Sequence, residues 1–378
     1  MLEFLRHARP QAELFCICGD PMAAAQSYSM PAIPMRAPAR CSIWFRGLNF
    51  LTLKLARALD EAVHAFRHVR KFHVLVIPGT GILDDYGERP SGVPRSLFIW
   101  CLAARACGTK IAFVSVGAGP IRRPLARWLL KSAAGLAQYR SFRDINSKEF
   151  MQSIGVDTRR DPVYPDIAFG LSEPPLEKYR RVQGERLTVG VGLMSYRGWH
   201  SDDKTAADIY RRYVEKLATF VAWLLNQGYC VRLLTGNQSD DEVAKDLVRS
   251  LRPRSPGGFE DQLRAETIRS LGDVMREVAQ TDVVVATRFH NVVCGLKLGK
   301  ATISIGYAAK NDLLLQDVGM GAYCQHIEQL DVDLLIRHFR RVIADREEHE
   351  QAIERVVTMY RKQLALQEAI LASAFLPE

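Results

Sequence analysis

The 378-residue sequence has no Cys-x-x-Cys pair and no Cys/His cluster at metal-ligand spacing, so nothing in it points to a metal site. Its eight cysteines, at 16, 18, 41, 101, 107, 230, 294 and 324, read instead as small core hydrophobes of a reducing compartment. Cys16 and Cys18 fall on an expected strand, and their thiols are expected to face opposite sides of it. No apolar run is long enough to span a bilayer, because the greasiest stretch, residues 96–119, is interrupted by Arg105 and Lys110. The opening MLEFLRHARPQAELFCIC lacks an apolar core followed by a small-residue cleavage site, so no secretory leader is expected. Internal repeats and low-complexity tracts are missing too. A cytoplasmic chain is the expectation.

What is present is ordinary for a soluble enzyme: 48% hydrophobic and 25% charged residues. The net charge of +9 favours anionic partners, whether phosphorylated metabolites, nucleotides or an acidic membrane surface. The basic residues read as scattered, which argues against nucleic acid. The length exceeds the ~250–300 residues at which a single core stops growing, so two domains are expected.

Short β-branched runs alternate with longer segments of 3.6-residue period. ELFCIC, FHVLVIPG, KIAFVSVG, YRSFRD and DPVYPDIAF read as the strands of a first half. Helices are expected at 48–69, 94–107 and 123–138, with a further one capped by Ser147 and ending at Gly155. LTVGVGLM, CVRLLTG, DVVVAT and ATISIGY are the strands of a second half, with helices around 207–227, 240–251 and 265–279. Such alternation predicts α/β domains with parallel, doubly wound sheets. The expected layout is an N-terminal Rossmann-like domain at 1–172, a polar linker at 173–186 and a C-terminal Rossmann-like domain at 187–345. A helical segment at 346–378 follows, packing back through Ile353, Val356, Val357, Tyr360, Leu364 and Leu366. The two domains are expected to face a central cleft.

In sheets of this kind ligands bind beyond the carboxyl ends of the strands. Four such places carry chemistry. Gly79 and Gly81 of PGTGILDD would let backbone amides approach an anion or a sugar, and Asp84 and Asp85 could accept from hydroxyls; a plain tight turn fits equally well. Gly117 and Gly119 in GAGP offer a similar turn. Arg143 in SFRD would present a fork to a carboxylate or phosphate, or merely tie loops through Asp144 or Asp166. In ATRFHN, Arg288 and His290 fall where a strand gives way to a helix N-terminus. The helix end adds partial positive charge, Arg288 an anion clamp and His290 a proton donor. A buried histidine bonded to a carbonyl is the bland alternative. Lys310, just after the next strand, makes a third cation, and no carboxylate is seen in the same turns. Such a cluster suits a small, strongly negative ligand.

Together IPGTGILDD, KIAFVSVGAGP, SFRDINSKEFMQSIGV, YPDIAF, ATRFHNVVCGLKLGKATISIGY and AAKNDLL resemble the polysaccharide pyruvyl transferase family, in the family's order over residues 72 to 320. The resemblance implies a glycosyltransferase-B-like fold, phosphoenolpyruvate as donor and a saccharide acceptor, as in exopolysaccharide biosynthesis. It implies no cofactor beyond phosphoenolpyruvate as co-substrate. His290 and Arg288 carry over as the catalytic pair. Arg143, Arg288, Phe289, Asn291 and Lys310 carry over as donor-binding, with Phe289 expected to serve by its backbone amide. Gly79, Gly81, Asp84, Asp85, Gly117 and Gly119 fall to loop or acceptor contacts. The family opens with a strand and a Gly-Asn-rich loop, whereas residues 1–6 here read as the following helix, so the first strand is expected to be missing.

The expected reaction transfers pyruvate to two hydroxyls of a sugar as a cyclic ketal, releasing phosphate. One rival is a nucleotide-sugar glycosyltransferase of the same fold, for which Glu242 or Asp282 would have to supply the ribose-binding carboxylate. The other is an inactive saccharide-binding relative. A lipid-linked acceptor at the inner face of the membrane would suit the basic balance, although no amphipathic anchor stands out.

Overall fold

The computed structural model describes residues 1–38, 55–86, 88–174, 186–198, 203–236, 239–254 and 258–376. The expected linker at 173–186, the start of the 48–69 helix and Cys41 lie largely or wholly outside these residues. The chain divides into two compact units, Met1–Ile167 with Gln363–Glu378, and Ala168–Lys362.

The first unit holds a parallel sheet of β3 (Val74–Pro78), β4 (Lys110–Val116) and β5 (Tyr139–Phe142). Helices α3 (Leu55–Val69), α4 (Val93–Ala106) and α5 (Pro124–Gly135) supply the connections. Strand alternation sorts the core into two faces. Ile111 and Phe113 pack with Ala65, Trp100 and Leu130 of the helices. Ala112 and Val114 pack instead with Leu371 and Phe375 near the chain end. Helix α1 (Leu2–Ala8) precedes a separate parallel pair, β1 (Cys16–Cys18) and β2 (Ala32–Pro34), joined by α2 (Pro21–Tyr28).

Several local expectations are corrected. Cys16 and Cys18 lie on the same face of β1, because residues two apart on a strand point the same way. Their thiols hydrogen-bond, and burial followed by the Cys18 neighbour pushes the Cys16 thiol up to about 11. Helix α6 (Ile145–Ser153) is capped by Asp144, which accepts from the Ser147 amide at 2.7 Å. The Ser147 hydroxyl instead accepts from the Ala118 amide. DPVYPDIAF forms no strand, only an isolated Phe142–Val163 bridge and a 3₁₀ turn at Ile167–Gly170. Its two prolines remove the ladder donors a strand would need.

The second unit is a six-stranded, all-parallel sheet in the order β11-β10-β9-β6-β7-β8. Its strands are β6 (Thr188–Gly192), β7 (Cys230–Leu234), β8 (Leu263–Ala265), β9 (Val283–Ala286), β10 (Ala301–Gly306) and β11 (Cys324–His326). The three-residue edge strands β8 and β11 escape periodicity analysis, which needs longer runs. Helices α7 (Asp203–Asn226), α8 (Asp240–Leu251), α9 (Leu271–Ala279), α10 (Phe289–Lys297) and α11 (Ala309–Asp317) connect the strands. Helices α12 (Val332–Ala344) and α13 (Arg346–Ile370) follow. Along α13, Ile353, Val357, Tyr360 and Leu364 are buried, but Leu366 is 58% exposed, so the apolar stripe ends before it.

Candidate functional site

Strand order reverses between β6 and β9 of the second unit: the chain steps from β6 to β7 and β8 on one side, and from β9 to β10 and β11 on the other. Loops leaving the two central strands must part there and leave a crevice, the usual ligand position in open α/β sheets. Arg288 follows β9 at this point.

The Arg288 side chain is held by Asp240, the first residue of α8. Nε donates to Asp240 Oδ2, and Nη2 donates to Oδ1 at 2.7 Å. Asp240 is wholly buried and also accepts from the Ser195 amide at 2.9 Å and the Gly236 amide at 3.0 Å. One carboxylate therefore binds the loops after β6, β7 and β9 together. This corrects the expectation that the cations here lack carboxylates. The side-on pairing uses Nε and one Nη2 hydrogen of a group with five N–H donors, so the pair does not consume the Nη1–Nη2 fork. Gly236 is required beneath it: a Cβ there would lie 2.2 Å from Arg288 Cδ.

Arg288 is the N-cap residue of α10, and the next two residues open the helix, where amides precede intrahelical bonding and carry partial positive charge. His290 is exposed, its ring 5.6 Å from that of Phe289. The bland expectation of a buried histidine is thereby set aside. Lys310 Nζ lies 5.5 Å from the Phe289 ring centroid and 4.7 Å from that of Tyr307. The Phe289 ring is thus a platform touched by both His290 and Lys310. Arg288, Phe289, His290 and Lys310 are brought together by the ends of β9 and β10.

Asn291 does not join them. Its side chain is buried and donates to the Leu234 carbonyl at 3.0 Å, tying α10 to the end of β7. Asn311 plays the same part beside it, donating to the Thr287 carbonyl and the Ser304 hydroxyl, both at 3.3 Å. Buried Tyr213, from α7, braces the end of β9 through a 2.9 Å bond with Thr287 Oγ1. Gly192, ending β6, leaves room that a Cβ would take from Ala286 and Asn291 at 2.9 Å. Of the carboxylates considered for a ribose, Asp282 sits at the amino end of β9, the wrong end of the sheet, and accepts from the Thr188 amide at 2.8 Å. Glu242 is exposed on the first turn of α8.

The remaining predicted residues gather in the first unit. Arg143 is only 7% exposed, with Asp144 at 3.5 Å and Asp166 at 3.6 Å. Its guanidinium lies flat over Gly117, where a Cβ would come within 2.3 Å of Nη2. Asp84 stands next to Gly81 and Gly119, within 3.4 Å of where a Cβ on either would sit. Gly79 answers to packing, because its Cβ would enter the Ile167 side chain at 2.5 Å. Asp85, expected to be open to hydroxyls, is fully buried and accepts from the Arg122 and Arg123 amides, both at 3.0 Å, so it organises the loop ahead of α5. A strained residue supports this cluster. Ser115 holds φ at 49° where the β4–β5 register shifts, and its amide donates to the Ser141 hydroxyl at 2.8 Å. Among the described residues no group of His, Cys, Asp or Glu is arranged to hold a metal.

Comparison with known proteins agrees with this architecture. A lipopolysaccharide outer core galactosyltransferase in its apo form superposes with a TM-score of 0.54 at 12% identity, covering 98% of this chain and 93% of that one. A UDP-GlcNAc 2-epimerase from Neisseria meningitidis, bound to UDP-GlcNAc, gives 0.57 at 8% identity over 97% and 96%. The UDP-GlcNAc 2-epimerase from Methanocaldococcus jannaschii gives 0.56 at 9% over 90% and 88%. At such identities the likeness establishes the fold alone, which is Rossmann-like and of the glycosyltransferase-B type. No curated protein sequence matches the chain. A sequence family described as polysaccharide pyruvyl transferase matches residues 1–308, a span that takes in the Gly81–Arg143 cluster and the Arg288–His290 helix start and stops just short of Lys310. The chain is a member of the polysaccharide pyruvyl transferase family.

Proposed function

We propose that this chain transfers pyruvate from phosphoenolpyruvate to a saccharide, forming a cyclic ketal and releasing phosphate. The observation that carries the reading is the Arg288–Asp240 pair at the switch point, which fixes a guanidinium beside a helix N-terminus and the exposed His290. Phosphoenolpyruvate carries a carboxylate and a phosphate on three carbons. A fixed guanidinium fork, a helix start and Lys310 match those two anionic groups.

His290 in its protonated form gives its proton to the methylene carbon, and one sugar hydroxyl bonds to the central carbon. The C–O bond to phosphate breaks, phosphate taking the bonding pair, and a second hydroxyl closes the ring on that carbon. Of the two hydroxyl protons, one restores His290 and the other leaves with phosphate or solvent. Bound negative charge favours the cationic imidazole, as a general acid requires.

Thermal shift with phosphoenolpyruvate and with UDP tests the donor class. The reading expects stabilisation by phosphoenolpyruvate that Arg288→Lys weakens, since lysine cannot fork. Stabilisation by UDP alone would favour the nucleotide-sugar alternative. For His290→Gln, turnover should drop about 10²–10⁴-fold while phosphoenolpyruvate binding persists; unchanged phosphate release would remove its role.

A further inference from the structure

Between Glu88 and Asp144 the chain has ten Arg and Lys residues and not one Asp or Glu, against a net charge of +9 for the whole protein. Arg95, Arg140 and Arg143 meet carboxylates from outside this stretch, Glu61, Asp161 and the pair Asp144 and Asp166, so its basic excess falls mostly on its middle, from Arg105 to Lys131. This stretch folds into α4, β4, α5 and β5 of the first unit. On α5, Leu125 and Trp128 lie one turn apart and are 58% and 56% exposed. Arg122, Arg123 and Arg127 are exposed around them. On α4, Leu102 is 48% exposed, and Phe98 packs its ring 5.3 Å from that of Trp128, joining the two helices into one surface. Single exposed leucines are normal, but a tryptophan and two leucines on adjoining helices beside three exposed arginines are not scatter. Helix α3, which meets α4 through His64 and His68 on Trp100, repeats the pattern: Leu59, Val63 and Phe66 are exposed, and Arg67, Arg70 and Lys71 follow them.

We propose that the outer face of α4 and α5 docks on an anionic lipid bilayer. Tryptophan settles at the headgroup level, where its ring is half in hydrocarbon and its N–H is wet. Each Lys or Arg near an anionic surface adds roughly fivefold to binding. Charge selects the occupant. A second copy of this chain seated on the same face would bring Arg122, Arg123 and Arg127 against their own counterparts, which like-charge repulsion disfavours. Among the described residues no helix is long and apolar enough to cross a membrane. The surface is independent of the reaction proposed above.

The test is co-sedimentation of the full chain with phosphatidylcholine vesicles, with and without phosphatidylglycerol. Binding is expected only with phosphatidylglycerol, and high salt should weaken it. Joint Arg122→Gln and Arg123→Gln substitution should lower it about 25-fold. Trp128→Ala and Leu125→Gln should each lower it about tenfold, Leu125→Gln at an unchanged melting temperature because its side chain is mostly exposed, whereas Trp128→Ala also gives up the contact with Phe98. Quenching of tryptophan emission by brominated phosphatidylcholine in mixed anionic vesicles should diminish in Trp128→Phe. No binding to phosphatidylglycerol vesicles, or wild-type binding by the joint arginine variant, Trp128→Ala and Leu125→Gln alike, would overturn the proposal. So would a concentration-dependent dimer that Trp128→Ala abolishes, which would assign the face to a second copy.

Discussion

Arg288 meets Asp240 side-on at the point where strand order reverses, with the carboxylate entirely out of water and its remaining lone pairs filled by the Ser195 and Gly236 amides. A buried charge is tolerated when it is paired and fully hydrogen-bonded, and removing one partner strands the other. Asp240→Ala should therefore lower the unfolding free energy by about 3–5 kcal/mol in urea titration. A loss under about 1 kcal/mol would mean that the pair does not hold these loops.

Gly236 sets the height of the Arg288 side chain, since a Cβ at that position would press into Cδ at 2.2 Å. Gly236→Ala must push the guanidinium off its perch, and misplacement of about 1 Å can cost as much as 10²-fold in function. Calorimetric titration should show phosphoenolpyruvate affinity reduced at least tenfold, roughly 1.4 kcal/mol. Wild-type affinity in this variant would show that Arg288 is not a donor ligand.

Two histidines give the stability a direction with pH. Burial, then Arg341 and Arg337, lower the pKa of His338. Burial, then His64 and Lys71, lower that of His68. Both bind fewer protons folded than unfolded, so their contribution is fully present above the unfolded value of about 6.5 and is lost as pH falls through it and on to the folded values. The melting temperature should fall between neutral pH and mild acid, and replacing both by glutamine should flatten that slope. An unaltered slope in the double variant would place the acid sensitivity elsewhere.

The longer strands and their helices were legible because each carries a run of β-branched residues or a 3.6-residue repeat. Arg288 and His290 were legible because a strand end followed by a helix start is a recognisable place in this kind of fold. Asp240 was not. It lies 48 residues from Arg288, and only the pairing of β6 with both β7 and β9 brings them together. The sequence signal that could have drawn attention to it is an acidic first turn, Asp240-Asp241-Glu242, directly after a β7 loop. The contact of the Phe289 ring with Lys310 as well as His290 was hidden for the same reason, since it depends on how β10 lies against β9. Asn291 misled because a polar residue beside the two cations looked like a ligand, whereas helical spacing turns it back toward the sheet.

The most direct test of the central claim follows the proton. The full chain is incubated in D₂O with phosphoenolpyruvate and a panel of 4-nitrophenyl glycosides, and the product is read by NMR. The account predicts a pyruvate ketal whose new methyl group carries a single deuterium, formed in step with phosphate and suppressed in His290→Gln. Phosphate and free pyruvate without a ketal from any acceptor, or a ketal formed at the wild-type rate by His290→Gln, would contradict it.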